Sequence, residues 1–220
     1  MKANRTLEKC ILLFLASVWA LVCLFPIWVL FSGTFSLDSS NLTRTFFPNS
    51  LSNGILKCRE ALVTIDIATA TIHTFLYTGI TVVGILLISS LAAYEFTFYE
   101  FPMKKVLFGL LMVSMMLPQV LYIIPLYRMV FSMKLADTFA GISMPMMVSA
   151  LSVFIMMQFL EDLPASFIES ARIDGAGHFQ IYRRIVLPLM RNGILTTVVL
   201  MFMKIWGQYL WPALVTGQKI

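Results

Sequence analysis

"VLFGLLMVSMMLPQVLYIIPLY", Val106 to Tyr127, contains no charged residue. A run of about 18 or more apolar residues is long enough to cross a bilayer as a helix. A helix apolar on every side belongs in a large core or in lipid, not at a water surface. Pro118 and Pro125 each remove a backbone donor and favour a kink, which membrane helices tolerate.

The same reading extends outward in both directions. Cys10 to Phe31 and Thr138 to Leu160 are nearly or wholly free of charge, and the apolar pattern recurs over 72–94 and 194–215. The sequence therefore predicts an all-α, polytopic membrane helical bundle with five spans, at about 10–31, 72–94, 106–127, 138–160 and 194–215. Composition agrees. The chain is 59% hydrophobic and 12% charged, where soluble domains carry about 25% charged residues. The first span is longer than a signal-peptide core and no small-x-small cleavage pattern follows it. Cys10 and Cys23 lie in or beside that span and Cys58 in a polar loop; buried thiols acting as small apolar residues explain them.

Residues 1–9 read as a cytoplasmic N-terminal tail and 10–220 as one transmembrane domain with an outer loop over 32–71. Lys2, Arg5 and Lys9 precede the first span, which places the N-terminus inside the cell. Loops 95–105 and 161–193 then also fall inside. The inner side carries Lys2, Arg5, Lys9, Lys104, Lys105, Arg172, Arg183, Arg184 and Arg191; the outer side carries Arg44, Lys57, Arg59, Arg128, Lys134 and Lys219. The net charge of +5 follows from this topology and from no basic run suited to nucleic acid. In the outer loop, Pro48–Asn49 reads as a turn before a short helix.

The inner segment Glu169–Met190, "ESARIDGAGHFQIYRRIVLPLM", is polar between two apolar runs. Leu163-Pro164 suits a first helical turn, and Asp162 favours the helix N-terminus. Phe167, Ala171 and Asp174 share a face, with Glu169 and Arg172 beside it. Gly175 and Gly177 can take positive φ and break the helix. A second helix follows, with Phe179, Tyr182 and Val186 on one face. A helix resting on lipid headgroups would be rich in Lys and Arg. This one offers Glu169, Ser170 and Ala171, which suits docking of a soluble protein: small residues allow close approach and a carboxylate can pair with arginine.

No Gly-x-x-x-x-Gly-Lys-[Ser/Thr] loop is present to cradle ATP phosphates. His73 and His178 are far apart and outside any zinc pattern, and no Ser–His–Asp set is apparent. The sequence predicts no catalytic residue, no metal site and no cofactor on this chain. Energy for transport would have to enter from another subunit. A secondary transporter would need carboxylates within its spans, and these spans hold almost none.

The segment "ESARIDGA" followed by "IVLPLM" resembles the EAA loop of ABC importer permeases. "LAAYEF" with "FPMKK", "MMLPQVLYIIPLY", "LADTFAGI", "FIMMQFLEDLPASFIESA" and "WGQYLWP" are similar, in order, to stretches of the carbohydrate-uptake subfamily, which includes maltose- and glycerol-phosphate-type systems. The resemblance covers most of 10–217. Departures are Ser170 for alanine, Asn192 for proline, Tyr77-Thr78 for Asn-Ser, and Gly207-Gln208 for Asn-Asp. Family members also have a sixth span, so the resemblance implies a shortened member.

The resemblance implies a permease subunit of an ATP-driven importer in the bacterial plasma membrane, for sugars or for another solute. A non-transporting membrane scaffold is the other class to weigh. Implied partners are a dimer of ABC ATPase subunits, a second permease and an extracytoplasmic solute-binding protein. Glu169, Ser170, Ala171, Asp174, Gly175 and Ala176 would couple to the ATPase: Glu169 pairing with a basic residue, Gly175 setting the turn and Asp174 fixing it. Lys204, Trp206, Gln208 and Tyr209 are pathway candidates. Lys204 stands near the middle of the fifth predicted span, where a charge is costly unless it faces a cavity or partner. Trp206, Tyr209 and Trp211 could stack on a sugar ring, or form an interfacial aromatic belt.

Overall fold

The computed structural model describes residues 2–36, 46–48, 50–64, 66–164 and 166–217, with side chains from residue 8 onward. The described residues are helical and contain no strand. Contacts divide the chain into one unit over 1–68 and another over 69–220.

In the first unit, α1 (Lys2–Thr34) runs unbroken from the predicted tail through the first span, with Pro26 inside it. The helix α2 (Leu51–Thr64) is the short helix expected in the outer loop; Asn49 of the expected turn lies outside the described residues. Trp28 Nε1 donates to Phe46 O at 3.0 Å, and Lys57 Nζ and Asn53 Nδ2 donate to Ser36 O at 2.9 and 3.0 Å. Cys10, Cys23 and Cys58 are all exposed on the chain. The expectation of buried thiols is thus wrong: α1 is apolar around its whole girth, so its cysteines need no core to share.

The second unit is organised on α3 (Ile67–Phe98), an uninterrupted helix long and apolar enough to span. The stretch 106–127 is not one helix. It forms α4 (Lys104–Met116) and α5 (Gln119–Ser132), bent by 104°. The cause is local. A residue before proline avoids the helical region, and Leu117 stands at φ −79°, ψ 119° ahead of Pro118. Pro125 sits inside α5 without breaking it. Likewise 138–160 divides into α6 (Phe139–Ser143), a 3₁₀ turn at Met144–Met146, and α7 (Ala150–Glu161), with a 47° bend. Ser149 caps α7 by accepting from Ser152 N at 3.3 Å, as an N-cap serine does.

Beyond α7 come α8 (Ser166–Ile173), α9 (His178–Ile181), a π-helical turn at Tyr182–Val186, α10 (Leu187–Leu189), α11 (Arg191–Trp206) and α12 (Leu210–Val215). The predicted span 194–215 is therefore interrupted at Gly207–Tyr209. Among the described residues, two helices reach spanning length and hydropathy; the count rises to five if each of three bent pairs is one span.

Two apolar clusters lie along α3. One surrounds Ala93 and Tyr94 and includes Val153, Met156, Leu160, Ile181 and Val186. The other surrounds Tyr77, Val82 and Ile85 and includes Ile123, Ile142, Met201 and Trp211.

Candidate functional site

The polar segment folds as the helix–turn–helix read from the sequence, with its start shifted to Ser166. Pro164 precedes it, its carbonyl accepting from Phe167 N at 3.2 Å. The end of α8 follows from residue type. Gly175 has φ +81°, Gly175 N donates to Arg172 O at 3.0 Å, and Ala176 N donates to Ala171 O at 2.9 Å. This pair of bonds with a left-handed glycine is the Schellman closure of a helix. Gly175 thus sets the turn. Gly177 does not share that role: its φ is −73° in extended backbone. Asp174 contributes its N–H to Ser170 O at 3.0 Å, and its side chain is exposed.

Faces differ from the helical-wheel reading. Ile168 and Ala171 of α8 are buried in the cluster around Tyr94, with Ala176 packed against it. Ala171 therefore lets this chain's own helices approach, and is covered against any partner. Phe167 is exposed, and Ile173 is 86% exposed. Glu169 and Ser170 are exposed on the outer side. In the second helix Tyr182 and Val186 are buried, but Phe179 points outward.

Sequence reading missed an aromatic cluster beneath this segment. Ser90 and Tyr182 hydroxyls lie 2.7 Å apart. The Tyr94 hydroxyl bonds the Tyr99 hydroxyl and reaches His178 O at 3.4 Å. Tyr99 stacks on His178 with ring centroids 4.5 Å apart and planes at 22°. The Arg172 guanidinium carbon lies 4.6 Å from the Tyr99 ring centroid, a cation–π distance. Arg172 has its pKa raised above the ordinary value, first by hydrogen bonding to Tyr99, with desolvation opposing and with the charges of Tyr99, Tyr94 and Glu169 adding to the rise. It stays a cation. The tyrosines themselves were the available signal, at 94, 99 and 182.

The pathway candidates lie at the break between α11 and α12, away from this segment. Lys204 is in the last turn of α11, not at mid-helix, and a cation there suits the helix C-terminus. Lys204 and Trp206 are exposed on the chain, Gln208 is half-buried and Tyr209 is 82% exposed. Trp206 stacks on Phe202 at 5.5 Å. Trp211 is neither belt nor sugar platform: it is fully buried and its Nε1 donates to Ile142 O at 3.0 Å. Among the described residues no group of three His, Cys, Asp or Glu side chains could hold a metal.

A helical membrane chain with broken spans and a capped helix–turn–helix between two of them is built as a transport permease. Its fold matches a chain of a bacterial ABC transporter involved in the import of the acidic polysaccharide alginate, with TM-score 0.79, 23% identity, and 98% of this chain and 76% of that one covered. Residues 84–219 match the binding-protein-dependent transport system inner membrane component family, and the chain belongs to that family. It is similar to the sn-glycerol-3-phosphate transport system permease protein UgpE of Rhizobium meliloti, 33% identical over 211 residues, 90% of this chain and 73% of that protein. The protein of that name from Brucella abortus is 34% identical, covering 90% and 72%; that from Yersinia pestis is 32% identical, covering 91% and 73%. These relatives are transport permeases and not enzymes.

Proposed function

We propose that this chain is the permease subunit of an ATP-driven importer and that α8 is where a partner ATPase moves it. One observation carries the reading. The inner side of the 161–193 segment is fixed in the chain's own core through Ile168, Ala171 and Ile181, while Glu169, Phe167, Ile173 and Phe179 stay exposed. Large apolar side chains left outside mark interaction surfaces, and Glu169 adds a charge that an arginine of the partner can bind through paired hydrogen bonds. With the N-terminus inside, this surface faces the cytoplasm, where an ATPase dimer acts. Closure of the ATPases would displace the segment, and the bundle would pass between inward- and outward-open states. A second permease would complete the pathway, and an extracytoplasmic binding protein would deliver solute.

For the solute we infer a phosphorylated sugar or polyol. The names of the relatives support that class, and Lys204, exposed in the last turn of α11, offers an anion a cation. Two variants test the reading in one preparation, the transporter purified through a tag on this chain. Truncating one partner of a docked charge pair costs about 2–5 kcal/mol, so Glu169→Ala should lose the ATPase while still inserting in the membrane. Lys204→Met should keep the ATPase and lower uptake of the phosphorylated solute. Undiminished ATPase retention by Glu169→Ala rejects the docking role, and unchanged uptake by Lys204→Met rejects the pathway role.

A further inference from the structure

Docking alone does not transmit motion; the docked helix must also be tied to a span. The apolar face of α8 supplies area but little direction, because Ile168 and Ala171 could slide over neighbouring apolar surface. Direction comes from groups with fixed geometry. Tyr99 follows the end of α3 and sits where four attachments meet. Its ring takes the Arg172 guanidinium of α8 at 4.6 Å and the His178 ring of α9 at 4.5 Å. Its hydroxyl bonds that of Tyr94 on α3. Its carbonyl accepts from Lys104 Nζ of α4 at 2.9 Å. One residue thus touches both arms of the helix–turn–helix and the two helices on either side of its own loop.

We propose that Tyr99 is the positioning residue that holds α8 and α9 in one orientation against the end of α3, so that displacement of the segment turns α3 rather than bending the Gly175 turn. Tyr99 contacts no solute and acts through Arg172 and His178. The second tie, between the hydroxyls of Ser90 and Tyr182 at 2.7 Å, lies deeper and fixes the following turn. This inference rests on the reading of α8 as the docking helix, but its mechanical part concerns this chain alone.

The test uses the full chain in lipid nanodiscs, with Cys10, Cys23 and Cys58 replaced by alanine and a nitroxide spin label on Ser170→Cys. All three native cysteines are exposed and would otherwise be labelled. A cation–π contact and an aromatic stack together shift a two-state population about tenfold. Tyr99→Ala should therefore raise the mobile fraction of the label about tenfold, Tyr99→Phe should largely restore the wild-type line shape, and Arg172→Gln, at an exposed position, should raise it by a smaller factor without threatening the fold. In the assembled transporter, Tyr99→Ala should keep its ATPase but hydrolyse several-fold more ATP per solute carried, in the same tenfold range. A label equally immobile in Tyr99→Ala and Arg172→Gln overturns the proposal, as does an unchanged ratio of hydrolysis to uptake. Absence of any ATPase from the wild-type preparation is a separate result: it overturns the function proposed above, and the label spectra still decide the role of Tyr99.

Discussion

The two clusters along α3 are held together by different means. Around Tyr94, the packing is threaded with directional contacts: Ser90 to Tyr182, Tyr94 to Tyr99, Tyr99 to Arg172 and His178. Around Ile85, the packing is apolar, and a cross-helix anchor is Trp211 donating to Ile142 O. Helices also break at Leu117–Pro118, at Met147–Ser149 and, inside the second cluster between Ile205 and Trp211, at Gly207–Tyr209. The lesson is a division of labour. One end of the bundle is cross-tied by directional contacts and suited to receive force; the other is held mainly by apolar packing and is better suited to change shape.

A glycine at each end makes the contrast testable. Gly141 of α6 is a spacing residue. A Cβ placed there would lie 2.1 Å from the Leu135 carbonyl oxygen, a backbone atom that no side-chain rotation can move. Overpacking of this kind costs about 1–3 kcal/mol. A side chain at Gly141 should therefore lower the thermal midpoint in nanodiscs more than a change at any other position named here, asparagine more than alanine. Equal midpoints for wild type and Gly141→Ala would show that α6 shifts to admit a side chain and that Gly141 is not a spacing residue.

Gly175 is a conformational residue. Nothing lies within 4 Å of a Cβ built there, yet φ is +81°. The cost of a side chain is purely the left-handed backbone, about 1–2 kcal/mol for ordinary residues and less for asparagine. The order of tolerance should reverse between the sites: asparagine better than alanine at 175, alanine better than asparagine at 141. Gly175→Val should misplace α9 and uncouple ATP hydrolysis from uptake. A common order at both sites would mean that the two ends are built alike.

How much of this was legible depended on what each residue type encodes by itself. Apolar run length announced five crossings but no angles, since hydropathy is blind to direction. Pro118 marked a kink, yet only the conformation of Leu117 turns it into a 104° bend. Gly175 could be read as a turn because glycine permits positive φ, but residue type alone did not separate it from Gly177, which is extended. Ala171 could not be read, because a small side chain permits approach from either side, and here the approach is the chain's own. Lys204 looked central because the span seemed to run to 215; the break at Gly207 puts it at a helix end. The tyrosines were visible as residue types but their joining was not, because Ser90 and Tyr182 stand 92 residues apart and pairing over that distance leaves no local pattern.

The smallest expected effect runs in the stabilising direction. Met103 precedes α4 with φ 61°, ψ 11°, in the left-handed region, and no side-chain cap compensates it. It occupies the glycine position of the Phe-Pro-Gly-Lys stretch that "FPMKK" resembles, and its side chain is exposed. A bulky residue loses about 1–2 kcal/mol there, whereas glycine adopts this backbone freely but gives back part of the gain through its larger unfolded-state entropy. Met103→Gly should therefore stabilise the chain by about 1 kcal/mol or less. The change removes an exposed side chain and keeps the backbone conformation, so the cross-tied end should keep its geometry, with the spin label on residue 170 unmoved and the thermal midpoint slightly raised. A lowered midpoint would mean that the Met103 side chain contributes more by contact than its backbone loses by strain, and that the turn from α3 to α4 belongs to the cross-tied end rather than to the joints.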